Sequence, residues 1–185
     1  MSNMHGKRRL LEGERIYLKP IEEQHIDDYY GKLSNASIES FKYTGSKAFI
    51  TKQGLSNYVK NICSNDSRLD FFIIDKQDDE IVGEVVLNDI DWKNRSASTR
   101  IGIFQEEDCN KKFGTEALSL LLQYGFGMYQ LHRIELQVYS FNERAIRVYE
   151  KLGFKQEGVL RDCLFYNNQY HDAIVMSILE TEFNK

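Results

Sequence analysis

One segment limits what this chain can fold into more than any other. Phe113–Tyr129 carries Ala117, Leu118, Leu121, Leu122 and Phe126 at helical spacing, and short alternating runs flank it, Ser98–Phe104 before and Arg133–Tyr139 after. A helix with one apolar stripe must bury that stripe on a neighbour, and strands on either side of it make that neighbour a sheet. The rest of the chain extends the pattern. Arg15–Lys19 reads as a strand, Glu22–Leu33 as an acidic-started helix, and Lys52–Cys63 as a helix capped by Thr51. Ile38–Ile50 reads as an aromatic, irregular connection. Leu69–Asp75 and Ile81–Asp89 pair around the polar turn Gln77–Glu80, and Lys155–Phe165 and Gln169–Leu179 flank Asn167 and Asn168. Asn142–Lys151 is a helix stopped by Gly153. The order β, α, α, β, β, β, α, β, α, β, β is not a repeated βαβ array. It predicts an α/β (α+β) fold, with a central, mostly antiparallel twisted sheet and helices on both sides.

A chain of 185 residues with 42% hydrophobic content supports one core, so residues 1–185 are expected to form a single domain, with 1–13 as a flexible leader. The net charge of −4 offers no basic surface for nucleic acid or an anionic membrane. No apolar run reaches the roughly 18 residues of a membrane span, and the first 13 residues hold no apolar stretch of signal-peptide length. A cytoplasmic location is expected. Cys63, Cys109 and Cys163 form no CxxC pair, and His5, His25, His132 and His171 form no i,i+4 pair, so neither a disulfide framework nor a metal site is predicted.

Between the strand Ser98–Phe104 and the long helix lies Cys109-Asn110-Lys111-Lys112-Phe113-Gly114-Thr115. A strand that runs into a glycine-bearing loop and then a helix aims free backbone N–H groups and the positive end of the helix dipole at one point, which suits an anion. Lys111 and Lys112 add charge there, and Gly114 permits a close backbone approach. A second constellation is Asn142-Glu143-Arg144-Ala145-Ile146-Arg147-Val148-Tyr149-Glu150-Lys151-Leu152-Gly153-Phe154. Residues seven apart on a helix drift only about 20°, so Asn142 and Tyr149 point the same way. The small Ala145 between them leaves room for an extended ligand. On the residues alone, the favoured reading makes Asn142 a helix cap and Tyr149 a core aromatic.

These two stretches resemble the GNAT superfamily of N-acetyltransferases. CNKKFGTEA is similar to its diphosphate loop, [Q/R]-x-x-G-x-[G/A], with Cys109 where Gln or Arg is usual and Lys112 where the first glycine is usual. The run from Asn142 to Phe154 is similar to its NxxAixxYeklGF element. The resemblance spans about Leu69 to Leu179 and is closest to the branch holding ribosomal-protein N-terminal and spermidine acetyltransferases. It implies a GNAT-like domain that transfers acetyl from acetyl-CoA to a primary amine by direct attack in a ternary complex. Cofactor contacts are then expected from Ile103, Phe104, Cys109, Asn110, Lys111, Lys112, Phe113, Gly114, Thr115, Asn142, Ala145 and Tyr149.

The chemistry sets further demands. An alkyl amine of pKa about 10.4 is roughly one part in a thousand neutral at pH 7.4, a handicap of about 4 kcal/mol, so a proton acceptor is needed. The resemblance assigns that role to Glu84, with Asp89 and Asp91 as substitutes. Tyr149 is the candidate proton donor to the leaving sulfur, and backbone N–H groups near Ile103 and Phe104 are the candidates to hold the carbonyl oxygen. A covalent step on Cys109 is a lesser alternative, since no histidine lies near it in sequence. The acceptor is left open between a peptide N-terminus, an amino acid and a small-molecule amine. Ser40–Ile62 is basic and aromatic, which argues against a polycation. A homodimer or higher homo-oligomer is implied by the resemblance alone. The rival from another class is a non-catalytic acyl-CoA sensor or assembly subunit.

Overall fold

The structure is a computed structural model that describes residues 11–36, 42–43 and 50–183. Most of the predicted connection over 38–50 lies outside the described residues. Among the described residues, eight strands form one sheet in the order β1-β2-β3-β4-β5-β6-β8-β7. They are β1 (Leu11–Glu12), β2 (Ile16–Pro20), β3 (Leu69–Asp75), β4 (Ile81–Asp91), β5 (Ser96–Ile103), β6 (Arg133–Tyr139), β7 (Lys155–Tyr166) and β8 (Gln169–Leu179). Every adjacent pair is antiparallel except β5 and β6, whose parallel pairing is confined to Ser96–Ser98 against Arg133–Glu135.

Among the described residues, four helices of nine residues or more cover the two faces: α1 (Ile26–Ser34), α2 (Lys52–Cys63), α3 (Phe113–Gly127) and α4 (Glu143–Lys151). On one face, Leu118, Leu121 and Leu122 of α3 and Tyr149 of α4 pack with Val85, Leu87, Ile134, Met176 and Ile178 of the sheet. Each fully buried leucine of α3 contributes roughly 1.5–3 kcal/mol relative to leaving it in water. On the other face, Tyr29 of α1 and Leu55, Val59 and Ile62 of α2 pack with Phe72, Ile74 and Phe104.

Local chemistry sets the element ends. The Thr51 hydroxyl accepts from Gly54 N–H at 3.0 Å and starts α2 where the sequence places it. Gly153, at φ 99, ends α4 in the left-handed region. The helix expected over Glu22–Leu33 is instead a 3-10 turn, Glu23–His25, followed by α1. The His25 ring folds back to accept the Glu22 N–H at 3.2 Å and holds that turn apart from the helix. The leader expected over 1–13 gives way at Leu11–Glu12, which pair with β2 because Leu11 buries its side chain in the core.

Two strands depart from regular pairing. Ile73 pairs with Gly83 and Ile74 with Ile81, so Val82 is an extra residue and β4 bulges there. The bulge turns Glu84 toward the face of α1 and α2. It also brings backbones close: a Cβ on Gly83 would lie 2.3 Å from the Gly102 carbonyl oxygen. On β7, Arg161, Asp162 and Cys163 bulge between the pairs Leu160–Ala173 and Leu164–His171.

Candidate active site

β5 and β6 part company after Ser98 and Glu135, and the gap opens into a cleft of about 510 Å³ that passes between the two faces of the sheet. The strand ladder decides which backbone groups look into it. Phe104 donates its N–H to the Val82 carbonyl at 3.0 Å, so 104 and 82 are a hydrogen-bonded pair. Gly102 and Glu84 are the next such pair, and Ile101 and Ile103 therefore direct their N–H and C=O groups away from β4. With β6 diverging at that level, they form an open strand edge inside the sheet.

One mouth of the cleft is the start of α3. Lys112, its N-cap residue, sits at φ 66 and its side chain caps nothing. The first-turn N–H groups of Phe113, Gly114 and Thr115 therefore have no intrahelical acceptor, and Lys112, Gly114 and Thr115 line the cleft. A Cβ on Gly114 would meet only the tips of Ile101 and Ile103, at 3.6 and 3.9 Å. The opposite wall is α4, with Asn142, Ala145, Val148 and Tyr149. Asn142 Oδ1 accepts the Ala145 N–H at 3.2 Å, so it caps the helix and leaves its amide NH2 for the cleft. Tyr149 is buried, its ring edge-on to Phe154. Among the described residues its hydroxyl has no partner, yet it is not sealed off. Burial pushes its pKa up to about 12.

At the other end stands Glu84, with its side chain 15% exposed. Its Oε2 accepts a short hydrogen bond from the Tyr29 hydroxyl, and its Oε1 faces Arg100 Nη2 at 3.5 Å. Burial and then the Glu84 charge hold the Tyr29 phenol well above its ordinary pKa, so it remains a donor. Arg100 also donates to the Tyr58 hydroxyl at 2.7 Å.

Nine of the residues singled out in the sequence thus share one cleft: Glu84, Ile103, Cys109, Lys112, Gly114, Thr115, Asn142, Ala145 and Tyr149. Four others do not line it. Phe104 is buried under α1 and α2, and its N–H, expected to be free, is taken up in the β4 ladder. Phe113 is buried in the core of α3. Asn110 is exposed, and Lys111 is exposed and bound to Asp108 at 2.8 Å. Asp89 and Asp91 lie toward the far end of β4, where Asp91 accepts the N–H groups of Lys93 and Asn94 and holds a turn. The Cys109 thiol lines the cleft, but burial pushes its pKa up, against the opposing pull of Arg144, and it donates to the Gln105 carbonyl. A thiol held protonated is a poor nucleophile.

Sequence reasoning missed Arg100, Tyr29 and Arg144. Arg100 had a signal, a lone cation inside the otherwise small and apolar Ser96–Ile103. Tyr29 had none, since only the packing of α1 on the sheet brings it to Glu84. Among the described residues, no group of three or more His, Cys, Asp or Glu is placed to hold a metal ion. No helix among them is long and apolar enough to cross a membrane.

A sheet split between two parallel strands, with an uncapped helix start at one mouth and a carboxylate at the other, defines an acyltransferase of the coenzyme A type. A profile of the acetyltransferase (GNAT) domain matches residues 15–155, and the chain belongs to that family. It is 32% identical over 169 residues to spermidine N(1)-acetyltransferase of Escherichia coli, covering 91% of this chain and 88% of that one. It is 30% identical over 180 residues to the probable N-acetyltransferase YjcK of Bacillus subtilis, covering 94% and 98%. Spermidine N-acetyltransferase from Vibrio cholerae, solved with CoA and spermine, superposes with a TM-score of 0.83 at 26% identity, over 92% of this chain and 98% of that one. The protein is an acetyl-CoA-dependent N-acetyltransferase that acts on a primary amine.

Proposed function

We propose that the diphosphate of acetyl-CoA sits on the start of α3 and its pantetheine arm runs along the open edge of β5, with the amine entering from the face of α1 and α2. The observation that carries this reading is the three-residue limit on β5–β6 pairing, which leaves Ile101 and Ile103 unpaired toward a cleft that joins both mouths. Acetyl-CoA supplies an activated thioester. The chain's own groups do the rest. Ile103 N–H holds the carbonyl oxygen, Asn142 NH2 and the space over Ala145 take the amide-bearing arm, and Lys112 adds charge at the phosphates. Glu84 receives the amine's proton, directly or through water. Its two oxygens already accept from Tyr29 and face Arg100, so it is held in position rather than free to swing. Tyr149 stays protonated at any working pH and donates a hydrogen bond to the sulfur as it gains charge. With a phenol near 12 and a thiol near 8.5, full proton transfer is uphill, so stabilisation of the sulfur is the larger share of its role.

The test is kinetic. Tyr149→Phe is expected to lower turnover about tenfold or more at near-normal acetyl-CoA affinity, and unchanged turnover removes Tyr149 from the reaction. Glu84→Gln is expected to depress the rate most at low pH, where neutral amine is scarcest; an equal loss at every pH makes Glu84 structural. A single domain working as a homodimer or higher homo-oligomer in the cytoplasm completes the reading. The self-association is supported by the exposed apolar side chains Val159, Leu160, Phe165 and Tyr170 on the β7–β8 hairpin, and light scattering in solution checks it.

A further inference from the structure

Arg100 lines the cleft together with Glu84. The two stand on neighbouring strands and on one face: Glu84 is opposite Gly102, and Arg100 is two residues along from Gly102, which makes them a diagonal pair. The Arg100 guanidinium uses one nitrogen, Nη2, to reach both Tyr58 and Glu84. Its side chain is 46% exposed, and its Nε and Nη1 groups have no partner among the described residues. Arg68, which shares the Tyr58 hydroxyl with Arg100 but does not line the cleft, is different. Arg68 places Nε and Nη2 on the two oxygens of Asp70, each at 2.7 Å, and also reaches Tyr58 at 3.0 Å. Its charge is closed off. Among the described residues, the end of the cleft near α1 and α2 offers the Glu84 carboxylate and, beside it, the Arg100 guanidinium with open N–H groups, while Glu106 and Arg144 also line the cleft.

A lone carboxylate accepts any ammonium, and a row of carboxylates suits a polycation. A carboxylate next to an open guanidinium is complementary to a molecule that carries both charges, since charge-assisted N–H bonds from a guanidinium to a carboxylate are short and strong. A polyamine would set its second ammonium against Arg100, and like charges brought together are unfavourable. We infer that the acceptor is a zwitterionic amine of the α-amino acid type, with its carboxylate held by Arg100 and its amino group by Glu84. This rests on the acetyl-transfer reading of the cleft. In the step itself the amine nitrogen forms a bond to the thioester carbonyl carbon as the carbon–sulfur bond breaks. The amine's proton leaves through Glu84, and the sulfur ends as the free thiol.

The experiment measures thiol release from acetyl-CoA with free α-amino acids, the same amino acids as carboxamides, and spermidine, expressed as kcat/KM per neutral amine. Wild-type protein, Arg100→Gln and Arg100→Lys are compared, each first shown to gain thermal stability with acetyl-CoA. The wild type is expected to favour the acid over its amide by about tenfold or more, and to favour it over spermidine. Arg100→Gln is expected to bring the acid-to-amide ratio near one, with Arg100→Lys between. An acid-to-amide ratio near one in the wild type, a preference for spermidine, or a ratio that survives Arg100→Gln overturns the assignment while acetyl transfer stands. Failure of every amine in the panel to release thiol overturns both.

Discussion

Lys112 carries a conformational load that its position explains. At φ 66 it occupies a region that disfavours any residue with a Cβ, by about 1–2 kcal/mol. Glycine would remove that strain but adds backbone freedom to the unfolded chain, worth roughly 0.5–1 kcal/mol in the other direction. Lys112→Gly is therefore expected to raise stability by about 0.5–1 kcal/mol, a thermal shift of a few degrees at most; a lower melting temperature would show the strain reading to be mistaken. On the proposed binding mode, the departure from the family's glycine is thus a tolerated strain that places a cation beside the diphosphate. Tyr149 gives a pH dependence of definite sign. Unfolded tyrosine ionises near 10, whereas the buried phenol holds its proton to about 12. Between those values the unfolded state has lost a proton that the native state keeps. The contribution is present below pH 10 and lost as pH rises toward 12, with a ceiling of roughly 2–3 kcal/mol. Tyr29 acts in the same direction. Chemical denaturation from pH 8 to 11 is expected to show a shallower alkaline loss in Tyr149→Phe than in the wild type, and parallel curves would contradict this.

At the scale of elements, the bulge at Val82 is what aims the carboxylate of Glu84. It demands glycine next to it, because an added Cβ at Gly83 meets two backbone atoms, the Gly102 oxygen at 2.3 Å and the Ile103 Cα at 3.2 Å, that cannot swing away. Gly83→Ala is expected to destabilise by at least about 2 kcal/mol, whereas Gly114→Ala, which meets only side-chain tips, should leave the melting temperature near that of the wild type. Equal effects of the two would refute the contrast. Elements with local signals were legible in the sequence. α2 begins at Lys52 because Thr51 caps it, and β3, β6 and β8 fall where alternation and turn residues put them. Bulges were not, since Val82 and Cys163 look like ordinary strand residues until their partners are known. The same blindness explains the site. Tyr149 and Asn142 were readable because one helix fixes their relation. Phe104 was misread because the side of the ladder on which its N–H falls depends on its pairing with Val82, and Arg100 and Tyr29 meet Glu84 only through contacts between elements distant in sequence.

Across the whole molecule, the order of strands places the parallel seam in the interior, with five strands on one side and three on the other. A ligand laid along the cleft touches both parts. At about one hundred times its dissociation constant it should stabilise the fold by about 2.7 kcal/mol, or roughly 5–10 °C, and a melting temperature indifferent to acetyl-CoA would count against the cleft as its site. The seam itself has a further consequence. Three residue pairs are a short weld between two otherwise well-bonded plates, so amide protons there should exchange with solvent sooner than those of β3–β4 or β6–β8, through openings that leave each plate whole. Cofactor occupancy would then act as a rivet, slowing exchange at Ser96–Ser98 and Arg133–Glu135 more than anywhere else in the sheet.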